Sequence, residues 1–169
     1  IYANLFVSGN ASFTVNKKQV EIIQKNNYPW EGALTFYVNP TSVLAFNLLV
    51  RLPGWSQNEA IPSDLYSFES ASDKKVAITV NDKPVEYKIV NGYAVLSKTW
   101  KKGDVVVVNL PMEVRRVTAN TNVADDIGKV ALQRGPLMYC AEWPDNNGKT
   151  SNIIIPKAVT FSTEYVSSL

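Results

Sequence analysis

The sequence predicts an all-β, jelly-roll-like antiparallel β-sandwich, on three observations. Short runs rich in Val, Ile, Thr, Tyr and Phe recur along the chain, with turn residues at the ~8–12-residue spacing typical of sandwiches. Asn91-Gly92 stands between two such runs; both central positions of a type I′ turn require positive φ, which makes this pair a strong hairpin signal. No segment sustains a helical period of apolar residues.

The elements follow in order. Residues 1–7 already alternate in the manner of a strand. Residues 11–15 alternate polar and apolar, Asn16-Lys17-Lys18 turns the chain, and residues 19–24 return with Val20, Ile22 and Ile23 as the apolar positions. Residues 32–38 carry the Thr, Phe, Tyr and Val that suit a pleated surface. Residues 43–52 form an almost unbroken apolar run. Its length would suit a helix, but Pro40 ahead and Pro53-Gly54 behind favour a long central strand. Val76, Ile78 and Val80 alternate before a turn at Asn81-Asp82-Lys83. Residues 85–90 and 93–96 flank the Asn91-Gly92 hairpin, Lys101-Lys102-Gly103-Asp104 turns again, and 105–110 and 113–117 complete about ten strands.

Residues 56–75 and 118–128 are polar windows without a strand pattern. The second marks the expected boundary, with a β-sandwich domain over 1–118 and either its continuation or the start of a second β domain over 119–169. Residues 153–165 read as a further strand-like run. The sequence begins inside a strand pattern and stops at Ser167-Ser168-Leu169, so it reads as a piece of a longer polypeptide.

Residues 129–143, K-V-A-L-Q-R-G-P-L-M-Y-C-A-E-W, pose a problem. They are apolar enough for a buried strand, yet Arg134-Gly135-Pro136 interrupts them. Proline cannot donate to a sheet ladder, so the sequence predicts a bulge or kink at a sheet edge. That geometry would turn Arg134 toward a carboxylate or backbone carbonyls of the same module.

Composition narrows the chemistry. Of 169 residues, 46% are apolar, so the chain should fold; 17 basic against 15 acidic residues leave a net charge of +2. Such a balance predicts no nucleic-acid partner, and no apolar stretch reaches the ~20 residues of a membrane span. Histidine is absent and Cys140 is the sole cysteine. A zinc site drawn from these residues would have one soft ligand, and a Cys/His nucleophile would lack its base. Cys140 therefore reads as a half-buried small hydrophobe. Glu31, Asp64, Glu69, Asp126 and Glu142 stand in no motif implying the paired carboxylates of a glycosidase. No catalytic residue, no metal ligand and no cofactor is assigned to this chain.

The aromatic residues are the other candidates. Trp30, Trp55, Trp100 and Trp143 lie at or beside predicted turns, where tryptophan caps a core, fills a domain interface or stacks a sugar ring. With the neighbouring charges, the candidate interface or sugar-stacking residues are Trp30, Trp55, Glu31, Arg51, Arg134 and Trp143.

Four segments carry a resemblance: Ile1-Tyr2-Ala3-Asn4-Leu5-Phe6, Tyr28-Pro29-Trp30-Glu31-Gly32, Leu49-Val50-Arg51-Leu52-Pro53-Gly54-Trp55, and the run from Gly128 through Gln133-Arg134-Gly135-Pro136 to Glu142. In that order they resemble the C-terminal portion of the β-L-arabinofuranosidases of glycoside hydrolase family 127 and its bacterial superfamily. Asn91-Gly92-Tyr93 and Trp100-Lys101-Lys102-Gly103-Asp104 are similar as well. The resemblance implies an (α/α)6 catalytic barrel followed by jelly-roll sandwiches. It also implies a retaining mechanism with a zinc-bound cysteine thiolate as nucleophile and a glutamate as acid/base, zinc lowering the thiol pKa. Those residues belong to the barrel, expected before Ile1, and Cys140 does not correspond to the nucleophile. Zinc is thus an expectation for the barrel alone. The chain is expected to be a non-catalytic C-terminal domain of a glycoside hydrolase acting on arabinofuranosides or related glycans, with that barrel as its partner. Two alternatives stay open: a carbohydrate-binding module for plant-type glycans, and a module through which the parent forms a homodimer. Periplasmic, secreted and cytoplasmic locations in a bacterium all remain open.

Overall fold

β-Branched and aromatic residues at alternating positions, cut by Asn-Gly and Asn-Asp pairs, give a chain built from strands. A computed structural model describes residues 1–166; Ser167-Ser168-Leu169, the point where the sequence stops, lies outside the described residues. The first strands are β1 (Tyr2–Ala3), β2 (Gly9–Val15), β3 (Lys18–Asn26), β4 (Ala33–Pro40) and β5 (Leu44–Arg51). Then come β6 (Tyr66–Phe68), β7 (Ala77–Val80), β8 (Lys83–Pro84), β9 (Lys88–Val90) and β10 (Tyr93–Trp100). The last are β11 (Asp104–Asn109), β12 (Val114–Ala119), β13 (Val130–Arg134) and β14 (Leu137–Tyr139).

Two sheets make the sandwich. One has the order β1-β5-β10-β9 and the other β2-β3-β4-β11-β7-β8. The chain crosses between them from β1 to β2, β4 to β5, β8 to β9 and β10 to β11, as a jelly roll does. Pairing is antiparallel except for β1, which runs parallel to β5. Alternation decides what is buried: Leu34, Phe36 and Val38 of β4, Val106 and Val108 of β11, Leu48 and Val50 of β5, and Ala94 and Leu96 of β10 share one core. Trp100 is fully buried there, its indole N–H donating to the Phe46 carbonyl at 2.9 Å.

A third sheet, β14-β13-β12-β6, packs beside the sandwich. Its buried Val117 lies outside the sandwich core cluster. Strand β6 falls inside the polar window where no strand was expected. Its three residues pair with β12, whose partners lie about fifty residues away, so local pattern could not reveal it. Residues 153–165 form no strand, correcting that expectation.

The turns follow the sequence closely. Asn16-Lys17, Asn81-Asp82 and Asn91-Gly92 each have positive φ at both central positions, the type I′ geometry that matches strand twist. Gly135-Pro136 differs from the expected bulge. It is the two-residue turn of the β13–β14 hairpin, with Arg134 paired to Leu137. Gly135 takes φ 57° while Pro136 has its ring-fixed negative φ, the φ signature of a type II′ turn. The breaker ends one strand and begins another.

Asp104, buried at the head of β11, ties two turns together. Its Oδ1 accepts from Asn81 Nδ2 at 2.9 Å, its Oδ2 accepts from the Lys101 N–H at 3.0 Å, and the Lys98 ammonium lies 3.5 Å away. Burial pushes this carboxyl up, but the Asn81 and Lys101 hydrogen bonds and the Lys98 charge together hold it below its ordinary value. A carboxyl held low by the fold contributes stability that is present above its unfolded pKa of ~3.9 and fades as pH falls through the folded value. Thermal unfolding across about pH 5 to pH 2 should therefore show the stability gap between the native chain and Asp104→Asn shrinking toward zero. A gap independent of pH contradicts the assignment.

Candidate functional site

The loop between β3 and β4 carries the sequence Tyr28-Pro29-Trp30-Glu31-Gly32, with a cis peptide at Tyr28-Pro29. The Trp30 and Glu31 N–H groups both donate to the Asn27 carbonyl, at 2.9 and 3.1 Å. Gly32 closes the loop against the segment that follows β11. The Leu110 N–H donates to the Gly32 carbonyl at 2.9 Å, and a Cβ on Gly32 would land on the Leu110 carbonyl oxygen. Two residues on, Met112 reaches across to the third sheet. A Cβ on Gly135 would meet Met112 Sδ at 2.5 Å and the Trp55 ring at 3.6 Å. Arg134 then donates from Nη1 to the Trp30 carbonyl at 2.8 Å. The arginine thus finds a backbone carbonyl, as expected, and its partner is the aromatic loop.

This junction sets two adjoining grooves on one face. The first, about 370 Å³, runs between Asn4, Leu5, Tyr28, Arg51, Trp55 and Glu59. The second, about 830 Å³, lies between Tyr28, Trp30, Glu31, Arg134, Tyr139 and Tyr165. Tyr28 belongs to both. Its ring packs edge-on against Phe6 at 5.2 Å. Burial pushes the Tyr28 hydroxyl up, with Trp55 and the Arg51 charge beside it pulling the other way. Leu5 (69% exposed), Trp30 (53%) and Tyr139 (48%) present apolar surface along this face.

Five of the six candidate residues therefore meet: Trp30, Glu31, Arg51, Trp55 and Arg134 all line these grooves. Trp143, 68% exposed, lines neither. Each of the four segments that carried the family resemblance contributes. The Asn91-Gly92-Tyr93 hairpin stands behind them, its Gly92 carbonyl accepting from Leu52 N–H at 2.7 Å and Tyr93 Oη donating to Asn4 Oδ1 at 2.9 Å. Trp100, at the far end of β10, serves the core instead. Cys140 is exposed rather than half-buried, because β14 ends at Tyr139 and the chain leaves the sheet.

Sequence reasoning missed Met112, Tyr139 and Tyr165. Tyr165 belongs to a C-terminal strap laid over the third sheet. Arg116 Nη2 donates to the Pro156 carbonyl, the Arg116 guanidinium lies 5.4 Å from the Phe161 ring, and Tyr165 packs edge-on against Trp30 at 5.9 Å. No sequence periodicity reports such a strap.

Chemically, the face offers aromatic surface, an arginine pair and scattered carboxylates. Glu31 and Glu164 border the second groove, and both are exposed. They lack the apolar enclosure in which a glycosidase keeps its acid. Among the described residues no group of three or more His, Cys, Asp or Glu side chains could hold a metal ion.

Fold and face together define a β-sandwich with an appended antiparallel sheet. The chain belongs to glycoside hydrolase family 127: residues 1–112 match the profile described as "Beta-L-arabinofuranosidase, GH127 middle domain", and residues 114–166 match "Glycoside hydrolase family 127 C-terminal domain". It is 30% identical over 165 residues to a non-reducing end β-L-arabinofuranosidase of Bifidobacterium longum subsp. longum, covering 95% of this chain and 22% of that protein. Among solved structures it is similar to a GH127 β-arabinofuranosidase, with a TM-score of 0.77, 40% identity, and coverage of 85% of this chain and 23% of the other. A GH127 β-L-arabinofuranosidase from Geobacillus stearothermophilus T6 gives a TM-score of 0.74 and 34% identity, over 88% of this chain and 21% of that one. The chain spans under a quarter of the length of these relatives.

The junction makes a direct prediction. Gly32→Ala should lower stability by about 1–3 kcal/mol, because the colliding atom is backbone and cannot step aside. Gly9→Ala, where a Cβ meets nothing within 4 Å, should stay within about 0.5 kcal/mol. Equal thermal denaturation midpoints for the two variants would contradict the close approach.

Proposed function

We propose that this chain is a non-catalytic β-sandwich portion of a glycoside hydrolase acting on arabinofuranosides or related glycans, and that its grooved face braces the catalytic barrel of the same polypeptide. One observation carries the reading. Segments 1–6, 28–32, 49–55 and 128–142, distant in sequence, are the ones that resemble the family, and all contribute to the same face. That face is partly apolar, with Leu5 and Trp30 open to solvent beside Arg51 and Arg134, the mixture found at interfaces between domains. The relatives are more than four times as long as this chain, which leaves ample polypeptide to cover it. In this reading any zinc and the nucleophile belong to the barrel. In the same reading the chain divides into a sandwich and a second β unit, a division supported by the separate family matches to residues 1–112 and 114–166.

A second reading has its own support. Trp30, Tyr139 and Tyr165 set three exposed aromatic rings around the second groove, with Glu31 and Glu164 at its border. Rings and carboxylates in that arrangement also suit a sugar, stacking its C–H face and accepting from its hydroxyls.

Leu5→Glu separates the two. In the 169-residue chain alone this exposed substitution should change stability by no more than about 0.5 kcal/mol. In the polypeptide extended by its upstream catalytic portion, it should lower the melting temperature and speed proteolytic release of the module. Equal, small effects in both would contradict bracing. A saturable quench of tryptophan emission by arabino-oligosaccharides, lost in Trp30→Ala, would assign the groove to sugar.

A further inference from the structure

Gln133 is a buried polar residue of the third sheet, 6% exposed. Its Nε2 donates to the Gly135 carbonyl at 2.9 Å, which fixes the amide, since turning it over would set oxygen against oxygen. Oε1 is then a buried acceptor with no hydrogen-bond donor among the described residues. Leaving such an acceptor unmet is costly, and buried polar side chains almost always find a partner.

A small cavity lies beside it. Trp55, Ser56, Phe68, Pro111, Arg115 and Gln133 form much of its wall, and its volume is about 10 Å³. That is roughly one water-sized sphere, the threshold at which a single water fits, and any larger ligand is excluded. The wall also supplies further polar partners. Ser56 Oγ donates to the Pro53 carbonyl at 2.7 Å and keeps its lone pairs. The Arg115 guanidinium, whose Nη2 donates to the Ser70 carbonyl at 2.7 Å, has other N–H groups to give.

We propose that this cavity is a binding site for one structural water, which donates to Gln133 Oε1 and couples the third sheet to the sandwich. Water suits the wall because it donates and accepts at once: it gives hydrogens to Gln133 Oε1 and Ser56 Oγ and accepts one from Arg115. The walls come from both family-matched segments. Trp55, Ser56, Phe68 and Pro111 belong to the first, and Arg115 and Gln133 to the second. The water therefore bridges them at a point where the neighbouring contact, Met112 and Trp55 on Gly135, is apolar.

A high-resolution crystal structure of the native chain should show one ordered water about 2.6–3.2 Å from Gln133 Oε1 and within reach of Ser56 Oγ or Arg115. In solution, oxygen-17 relaxation dispersion should count one fewer long-lived water in Gln133→Met than in the native protein. A dry cavity, a protein donor seated directly on Oε1, or equal water counts overturns the proposal. The native crystal decides the matter even where the variant does not fold.

Discussion

The architecture turns on a close backbone approach. Gly32 sits so near Leu110 that no side chain fits between them, and the Leu110 N–H closes the contact by donating to the Gly32 carbonyl. From Leu110 the chain runs to Met112, whose side chain reaches both Gly32 and Gly135. One short segment therefore touches the β3–β4 loop, the end of the sandwich and the hairpin of the third sheet. The two glycines act for different reasons. Gly32 leaves room for a carbonyl, whereas Gly135 both turns the chain at positive φ and leaves room for the Met112 side chain. With those approaches in place, Arg134 can reach the Trp30 carbonyl, and the two grooves share Tyr28 as a common wall.

Much of this was legible in the sequence because sandwiches are built from local signals. Asn91-Gly92 and Asn81-Asp82 turn where their chemistry says they should, and alternation along β4 and β11 places Phe36 and Val106 in the core. What escaped was nonlocal. Strand β6 is three residues long in a polar stretch and exists through its pairing with β12. Gly135-Pro136 looked like a fault in one strand. It is the turn of a hairpin, and a two-residue loop with proline in second place is a weaker hairpin signal than Asn-Gly. For the candidate site, Trp30, Glu31, Arg51, Trp55 and Arg134 were read as separate candidates. Their meeting depends on Met112 and Gly32, and neither has a pattern that announces a long-range contact. Trp143 was chosen by the same rule as Trp30, but nothing in the fold brings it to the grooves.

Family membership and geometry bear on each other here. The resemblance rests on short segments far apart in the chain, and the fold gathers them at one end of the sandwich, while the core is made largely by other residues such as Val20, Leu34 and Val108. Packing alone gives no reason for Leu5, Trp30 and Arg51 to remain at the surface in this arrangement. The bracing role proposed above would supply that reason, and the relatives, more than four times as long as this chain, have the polypeptide for it.

Hydrogen–deuterium exchange, compared between the 169-residue chain and the same residues within the extended polypeptide, tests that account most directly. It predicts slowed exchange at residues 4–6, 28–32 and 51–55 in the longer protein, with the exposed edge strand β2 unchanged. Identical exchange at those three segments in both forms would contradict it.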